Sequence, residues 1–390
     1  MRQISLQLPP FAPDYSGACS ALFELGGMIV IHDACGCTGN YTGFDEPRWY
    51  GAESQVYCSA LRQMDAIMGD DEKLIGRVLR AAEDMHPKFI ALMGSPVPTV
   101  IGTDFEGIAE EIQQRSGIPA FGFLTTGLRL YDVGASEAFL ALVKRFARPG
   151  APEPKPKTVN LLGLTPLDFY GGDTVRALRS ALEQRGWNIV ASIAMDTDLE
   201  TIRDSVDAQI NLVVSQSGLA MAEYYKDAYN IPFVAGLPVG VGAADELFSM
   251  MEQSAEDGQN RVLSSGRQQG DIQTVILGER VMGNSIRRCL EVDCGLEGVA
   301  AVGVFSPEPR LMGEGGLSAA CEDEIGALLN ESGCTRIIGD PLFKRLLAKD
   351  NKAEFLEFPI PAISSKLYWN QCVPIIGDQI FTWLPKTGMR

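Results

Sequence analysis

Only two histidines, His32 and His86, occur in a chain of 390 residues, so acid–base or nucleophilic chemistry built on an imidazole has almost nothing to draw on. No GxSxG segment stands between a strand and a helix, which removes the nucleophile elbow of a hydrolase. No GxxxxGK[ST] loop occurs either, and ATP hydrolysis is not expected of this chain itself. Positive charge is also scarce: 33 Lys and Arg against 50 Asp and Glu leave a net charge of −17, which opposes contact with phosphate backbones and anionic membranes. No segment approaches the roughly 20 apolar residues that span a bilayer. The opening MRQISLQLPPFAPDYSG has no apolar core behind a basic start. A cytoplasmic protein that binds neither nucleic acid nor membrane is expected.

What is present suits a globular α/β protein. The content is 46% hydrophobic and 21% charged, ordinary for packed domains, and the length exceeds what one core usually serves. Short branched apolar runs alternate with longer amphipathic segments, the pattern of βα units around parallel sheets. The clearest strands are 88–93, 159–163, 189–193, 210–214, 233–236, 274–277, 299–305 and 336–339, and their unbroken hydrophobicity implies cover on both faces. Thr103 and Asp104 cap a helix over FEGIAEEIQQRSG that Gly117 stops, and Asp340 with Pro341 starts another over PLFKRLLA.

The proline-rich Ala147–Lys157 stretch reads as an exposed, semi-rigid linker, and SSGRQQGD at 264–271 marks a second boundary. Three Rossmann-like domains are expected: 1–148 with a loop-rich cysteine-bearing region before residue 60, then, after a linker at 149–157, residues 158–262 and 263–390 with the C-terminal segment. The glycine-rich stretch from Gly236 to Leu247 and the GLTPLDFYGGD segment from Gly163 to Asp173 have the makings of phosphate cradles. They lack dinucleotide spacing, and tight βα turns are the more ordinary reading.

Nine cysteines in such a protein are not expected to form disulfides. Four, Cys19, Cys35, Cys37 and Cys58, fall within the first sixty residues, and the remaining five begin at Cys289. The later five read as structural, since a buried cysteine behaves as a small hydrophobe. The early four accompany Gly26, Gly27, Gly36, Gly39 and Gly43, and loops of this kind let backbone amides approach the sulfides of an iron–sulfur cluster. Their spacing matches neither a zinc ribbon nor a ferredoxin run. His32, three residues before Cys35, reads first as a satisfied structural histidine and second as a proton donor or cluster neighbour. His86, before Pro87, is a turn residue.

This N-terminal pattern resembles the component 1 subunits of nitrogenase and nitrogenase-like reductases. That family offers a cysteine before an apolar helix, an H-G-x-x-G-C loop and a further cysteine shortly before V-I-G-D-D. Here Cys19 matches the first, HDACGC brings Cys37 into the second, and MGSPVPTVIGTDFEGIAEEI, with Val100 to Asp104, matches the third segment. MDAIMGDDEKL is also similar to a short helix-initiating element of the family. The motifs lie in the first 130 residues. Where the third cysteine would fall stands Ser95-Pro96, so either Cys58 or the extra Cys35 replaces the missing ligand or the cluster uses fewer protein thiolates.

The resemblance implies three Rossmann-like domains and an electron-relay cluster, P-cluster-like [8Fe-7S] or [4Fe-4S]. Its ligands are expected among Cys19, Cys37, Cys58 and Cys35, with Ser95 as an oxygen neighbour. It further implies a homologous component 1 partner in a heterodimer or heterotetramer, and a P-loop ATP-hydrolysing iron protein as electron donor. With no cysteine from 59 to 288 and no histidine after His86, the chain is similar to the subunit that leaves any larger catalytic metallocluster to its partner. Reduction of a C–S bond, as in a methylthio-alkane reductase, is the specific expectation. Tetrapyrrole reduction of the protochlorophyllide or nickel-tetrapyrrole type, a metallocofactor assembly scaffold and a non-enzymatic α/β binding module are the alternatives.

Overall fold

The computed structural model describes residues 5–52, 55–264, 271–312 and 316–384. Every strand pairs parallel to its neighbours, in three separate sheets. The first sheet has the order β2-β1-β3-β4, built from β1 (Met28–Ile31), β2 (Gln55–Cys58), β3 (Ile90–Met93) and β4 (Ala120–Phe123). β5 (Thr158–Leu162), β6 (Asn188–Ile193), β7 (Ile210–Val213), β8 (Phe233–Ala235) and β9 (Arg261–Val262) form the second, in the order β6-β5-β7-β8-β9. β10 (Thr274–Gly278), β11 (Val299–Gly303), β12 (Leu317–Ser318), β13 (Arg336–Gly339) and β14 (Glu354–Glu357) form the third, ordered β12-β11-β10-β13-β14. All eight strands read from the sequence lie in these sheets, and the central ones are buried on both faces, as their continuous apolar runs require.

Two differences from the sequence reading have physical causes. The cysteine-bearing stretch before residue 60 is no loop-rich appendage: it supplies β1 and β2, with β1 paired between β2 and β3. The segment opening at Asp340 is a 3-10 turn over Pro341–Leu346, although Asp340 does accept the Leu342 N–H as a cap. The helix Phe105–Ser116 follows the sequence closely, with the Asp104 carboxylate accepting the Gly107 N–H and Gly117 closing it in the left-handed region. Residues 265–270, within the second expected boundary, lie outside the described residues.

The helices Asp14–Leu22 and Tyr131–Phe146 cross in backbone contact. A Cβ on Gly17 would sit 1.9 Å from the Tyr131 carbonyl oxygen, and one on Gly134 would sit 1.9 Å from that of Asp14. The buried Asp14 carboxylate also accepts the Thr126 and Gly127 N–H groups and Arg129 Nε, at 2.7–2.9 Å. This fixes the loop leaving β4.

A buried polar hub joins the three sheets. Asp132 accepts Gln216 Nε2 and both the N–H and hydroxyl of Ser306, while Glu279 accepts the N–H groups of Gln216, Val281 and Met282. Asp168 accepts the hydroxyls of Tyr131 and Thr165. Burial pushes all three carboxyls upward, with the Glu279 charge adding to the rise at Asp168, whose pKa reaches about 8. A carboxyl raised above its unfolded value keeps a proton that the unfolded chain has lost, so its stabilisation is complete near pH 4 and is lost as pH rises through about 8. The urea midpoint should therefore fall between pH 6 and pH 8.5, and Asp168→Asn should shrink that fall. An unchanged pH dependence in the variant would contradict this assignment.

Candidate functional site

In a parallel sheet, the loops leaving the carboxyl ends of the strands converge on one edge, and ligands collect where the strand order reverses. In the first sheet that point lies between β1 and β3. The loop after β1 carries Cys35 and Cys37, β2 ends on Cys58, and the loop after β3 carries Ser95. Strand topology thus brings three of the four early cysteines and Ser95 to a single edge.

Asp33 organises the loop. One of its carboxylate oxygens accepts the N–H groups of both Cys35 and Cys37 at 2.8 Å, and its carbonyl accepts the Cys58 thiol at 3.3 Å. The Ala60 N–H donates to Cys58 Sγ at 3.3 Å, the amide-to-sulfur contact by which proteins tune clusters. Cys35 stands at φ 134°, a conformation that costs a non-glycine residue on the order of 1–3 kcal/mol and that clusters at functional sites. Its thiol is exposed, and the neighbouring Cys58 thiol raises its pKa.

Cys37 is half-buried, with its thiol pushed up by burial and then by the Asp33 charge. Tyr15 and Ser95 lie beside it, and both counter that rise. The Ser95 hydroxyl also donates to the His32 carbonyl at 2.8 Å. Cys19 lies elsewhere. It sits one turn beyond Tyr15 on the same helix, fully buried beneath the segment 36–46, with its thiol raised well above the usual range by burial and the Glu46 charge. Tyr15 and Asp33, the groups that link the site together, were missed in the sequence; the i, i+4 spacing of Tyr15 and Cys19 was the available signal for the first.

His32 is buried, its Nδ1 2.8 Å from the Ser59 hydroxyl and its ring edge-on to Phe105, and burial lowers its pKa. That is the satisfied histidine of the ordinary reading. His86 is an exposed left-handed cap. All nine cysteines are free. The glycine-rich stretch after β8 has no phosphate vacancy, because the Asp293 carboxylate accepts the N–H groups of Val241, Gly242 and Ala243 that would have bound one.

Among the described residues no three His, Cys, Asp or Glu side chains stand close enough to grip one metal ion. A cluster makes a different demand, since each thiolate binds its own iron and the ligands spread around the core. The all-thiol donor set at this edge fits that demand. Above it, a Cβ built on Gly36, Gly39 or Gly43 would meet no atom within 4 Å, so the loop faces open space on the side away from the chain. No helix among the described residues is long and apolar enough to cross a membrane.

Comparison with known proteins bears on the family and the fold. The chain is 23% identical over 236 residues to the nitrogenase iron-molybdenum cofactor biosynthesis protein NifE of Methanosarcina barkeri, covering 56% of this chain and 50% of that protein. It is 37% identical over 243 residues to a subunit of the light-independent protochlorophyllide reductase of Methylobacterium radiotolerans, covering 59% and 44%. With the nitrogenase molybdenum-iron protein alpha chain of Clostridium pasteurianum it shares 25% over 205 residues, covering 52% and 38%. The chain therefore spans half or less of the length of these relatives. Its fold superposes on the solved structure of nitrogenase Cp1 at pH 6.5 with a TM-score of 0.66 at 15% identity, covering 92% of this chain and 85% of that one. The family model for nitrogenase component 1 type oxidoreductases matches residues 13–280, well over half of the sequence, and the chain belongs to that family.

Proposed function

We propose that this protein is the electron-relay subunit of a two-component, nitrogenase-like reductase, holding an iron–sulfur cluster at a seam with a homologous component 1 chain. The observation that carries the reading is the meeting of Cys35, Cys37 and Cys58 at one strand edge beneath glycines that face open space. In a member of this family, that arrangement offers half of a shared ligand shell. Cys35, Cys37 and Cys58 are the ligands reached from the surface, and Ser95 is an oxygen neighbour. Cys19, part of the expected set, becomes a ligand only if the segment 36–46 shifts when the subunits pair.

The cluster, P-cluster-like [8Fe-7S] or [4Fe-4S], supplies one-electron transfer at low potential. The chain's residues do the rest: Asp33 holds the two thiol-bearing turns, the Ala60 N–H stabilises charge on the Cys58 sulfur, and Tyr15 and Ser95 orient Cys37. Around the edge Phe44, Val100, Leu124 and Leu128 are 54–85% exposed, apolar surface of the kind that marks a protein interface. A P-loop iron protein that hydrolyses ATP is the electron donor, and any larger metallocluster belongs to the partner chain.

For the substrate we propose reductive cleavage of a C–S bond, in which two electrons and two protons convert a methyl thioether to methanethiol and an alkane. The matches to light-independent protochlorophyllide reductases favour tetrapyrrole reduction as the second reading, and the match to NifE a scaffold role as the third. The test is anaerobic reconstitution with the partner chain, the iron protein and ATP, offering a methylthioalkane and protochlorophyllide separately. ATP-dependent methanethiol release supports the first reading, and loss of protochlorophyllide absorbance replaces it with the second. If neither substrate turns over although the complex binds iron, the scaffold role stands instead.

A further inference from the structure

Of the nine cysteines, all within the described residues, only Cys35 is exposed. It stands at φ +134° between β1 and the short helix Gly36–Asn40. Its neighbour is Cys58, at the end of β2. The backbone brings them together. β1 and β2 pair in parallel with Ile31 opposite Cys58, and the pairing continues past the strands: the Ser59 N–H donates to the Ile31 carbonyl at 3.0 Å and the Leu61 N–H to that of Asp33 at 2.8 Å. Asp33 then holds both cysteines, its carboxylate accepting the Cys35 N–H at 2.8 Å and its carbonyl the Cys58 thiol at 3.3 Å. β2 is the outermost strand of its sheet, so no further strand covers Cys58 on that side.

The two thiols are also set apart from the rest of the site. Cys19 and Cys37 occupy the positions that match the family's pattern, and both are shielded: Cys19 is fully buried and Cys37 half-buried beside Tyr15 and Ser95. Cys35 and Cys58 are a neighbouring pair beyond those two, with one member open to solvent. In a reducing compartment, such a pair suits a transient, redox-responsive disulfide rather than a structural one. Thiols left bare by loss of a cluster otherwise climb to sulfinic and sulfonic acids, which cellular thiols do not reduce.

We propose that in the cluster-free chain Cys35 and Cys58 close a reversible disulfide, which protects both sulfurs from irreversible oxidation and blocks loading of the site until it is reduced. The oxidant is a small disulfide such as oxidised glutathione. The Cys35 thiolate attacks one of its sulfurs, forming a mixed disulfide and expelling one glutathione thiolate. The Cys58 thiolate then attacks Cys35 Sγ, closing the Cys35–Cys58 bond and expelling the second. Two protein thiols lose two electrons and two protons, and the small disulfide takes up both to become two thiols. The linkage itself needs no cluster; only its effect on loading rests on the ligand role proposed above.

The test uses the full chain freed of iron, incubated with oxidised glutathione at pH 8.5, where thiolate attack is fast, then alkylated and digested with trypsin. Cleavage after Arg48 and Arg62 separates Cys58 from Cys35. Mass spectrometry should find the two peptides joined, and parted again by dithiothreitol. Cys37→Ser should keep the link, Cys35→Ser should abolish it, and Cys58→Ser should strand glutathione on Cys35. Unjoined peptides in the wild-type chain, or a link that survives in Cys35→Ser, would overturn the proposal, and the wild-type result decides it even if a variant fails to fold. The oxidised chain should also take up less than about a tenth of the iron that the reduced chain takes. A joined chain that loads iron normally would refute the ligand role, and the block with it, while the disulfide stood; unjoined peptides in a chain that loads iron through Cys35 and Cys58 would refute the disulfide alone.

Discussion

Anaerobically purified protein carrying Cys35→Ser and Cys58→Ser together should lose nearly all of its iron and sulfide, whereas Cys334→Ser should keep the wild-type content. Cys35 and Cys58 are neighbours at the carboxyl edge of the first sheet, so the double change removes two converging sulfurs at once. Serine preserves their size and hydrogen bonding but not their affinity for iron. Cys334 is half-buried beside β13, away from that edge. Cys37→Ala should also remove much of the iron, because the Asp33, Tyr15 and Ser95 contacts around that thiol hold it in place and provide no replacement donor of equal softness. Iron measured per chain, beside a circular dichroism spectrum, separates ligand loss from misfolding. Equal retention in the double variant and Cys334→Ser would remove these residues from the site.

Gly134→Ala should be among the most damaging single-methyl changes in the fold. The added Cβ would lie 1.9 Å from the Asp14 carbonyl oxygen, and backbone cannot move aside as a flexible side chain can. Forcing the helices Asp14–Leu22 and Tyr131–Phe146 apart should cost about 3 kcal/mol and lower the thermal midpoint by on the order of 5 °C. Separation would also disturb Asp14, which holds the loop after β4, and Tyr15, which reaches Cys37. The loss of stability should therefore come with a partial loss of iron. Gly76→Ala is the control: it lies within the helix Asp71–Met85, where its Cβ would meet only Arg80 Nη1 at 3.5 Å. Alanine there should be neutral or stabilising by up to about 1 kcal/mol. Equal midpoints for the two variants would contradict the close crossing.

The strands legible in the sequence were those whose apolar runs are buried on both faces, such as IALM in β3 and TVIL in β10. Those missed had local reasons to hide. β4 reads AFGF because a Cβ on Gly122 would strike the Phe105 carbonyl at 2.0 Å, so the packing helix demands a residue with no strand preference. β9 and β12 are two-residue edge strands, too short for any alternation to register. β1 is four residues long and follows Gly26-Gly27, which made its surroundings read as loop.

The site divided in the same way. Cysteine identity and clustering were visible along the chain. Which thiols share an edge depended on β1, β2 and β3 being neighbours in one sheet, a non-local fact. Asp33 was hidden because its role is to accept two amides that only its own loop conformation brings together.

The measurement that bears most directly on the account is iron and inorganic sulfide per chain in the complex purified without oxygen. The account predicts a brown protein in which both are present in stoichiometric amounts and fall together when Cys35 and Cys58 are replaced. A colourless, correctly folded protein free of iron, from cells that assemble clusters normally, would contradict it.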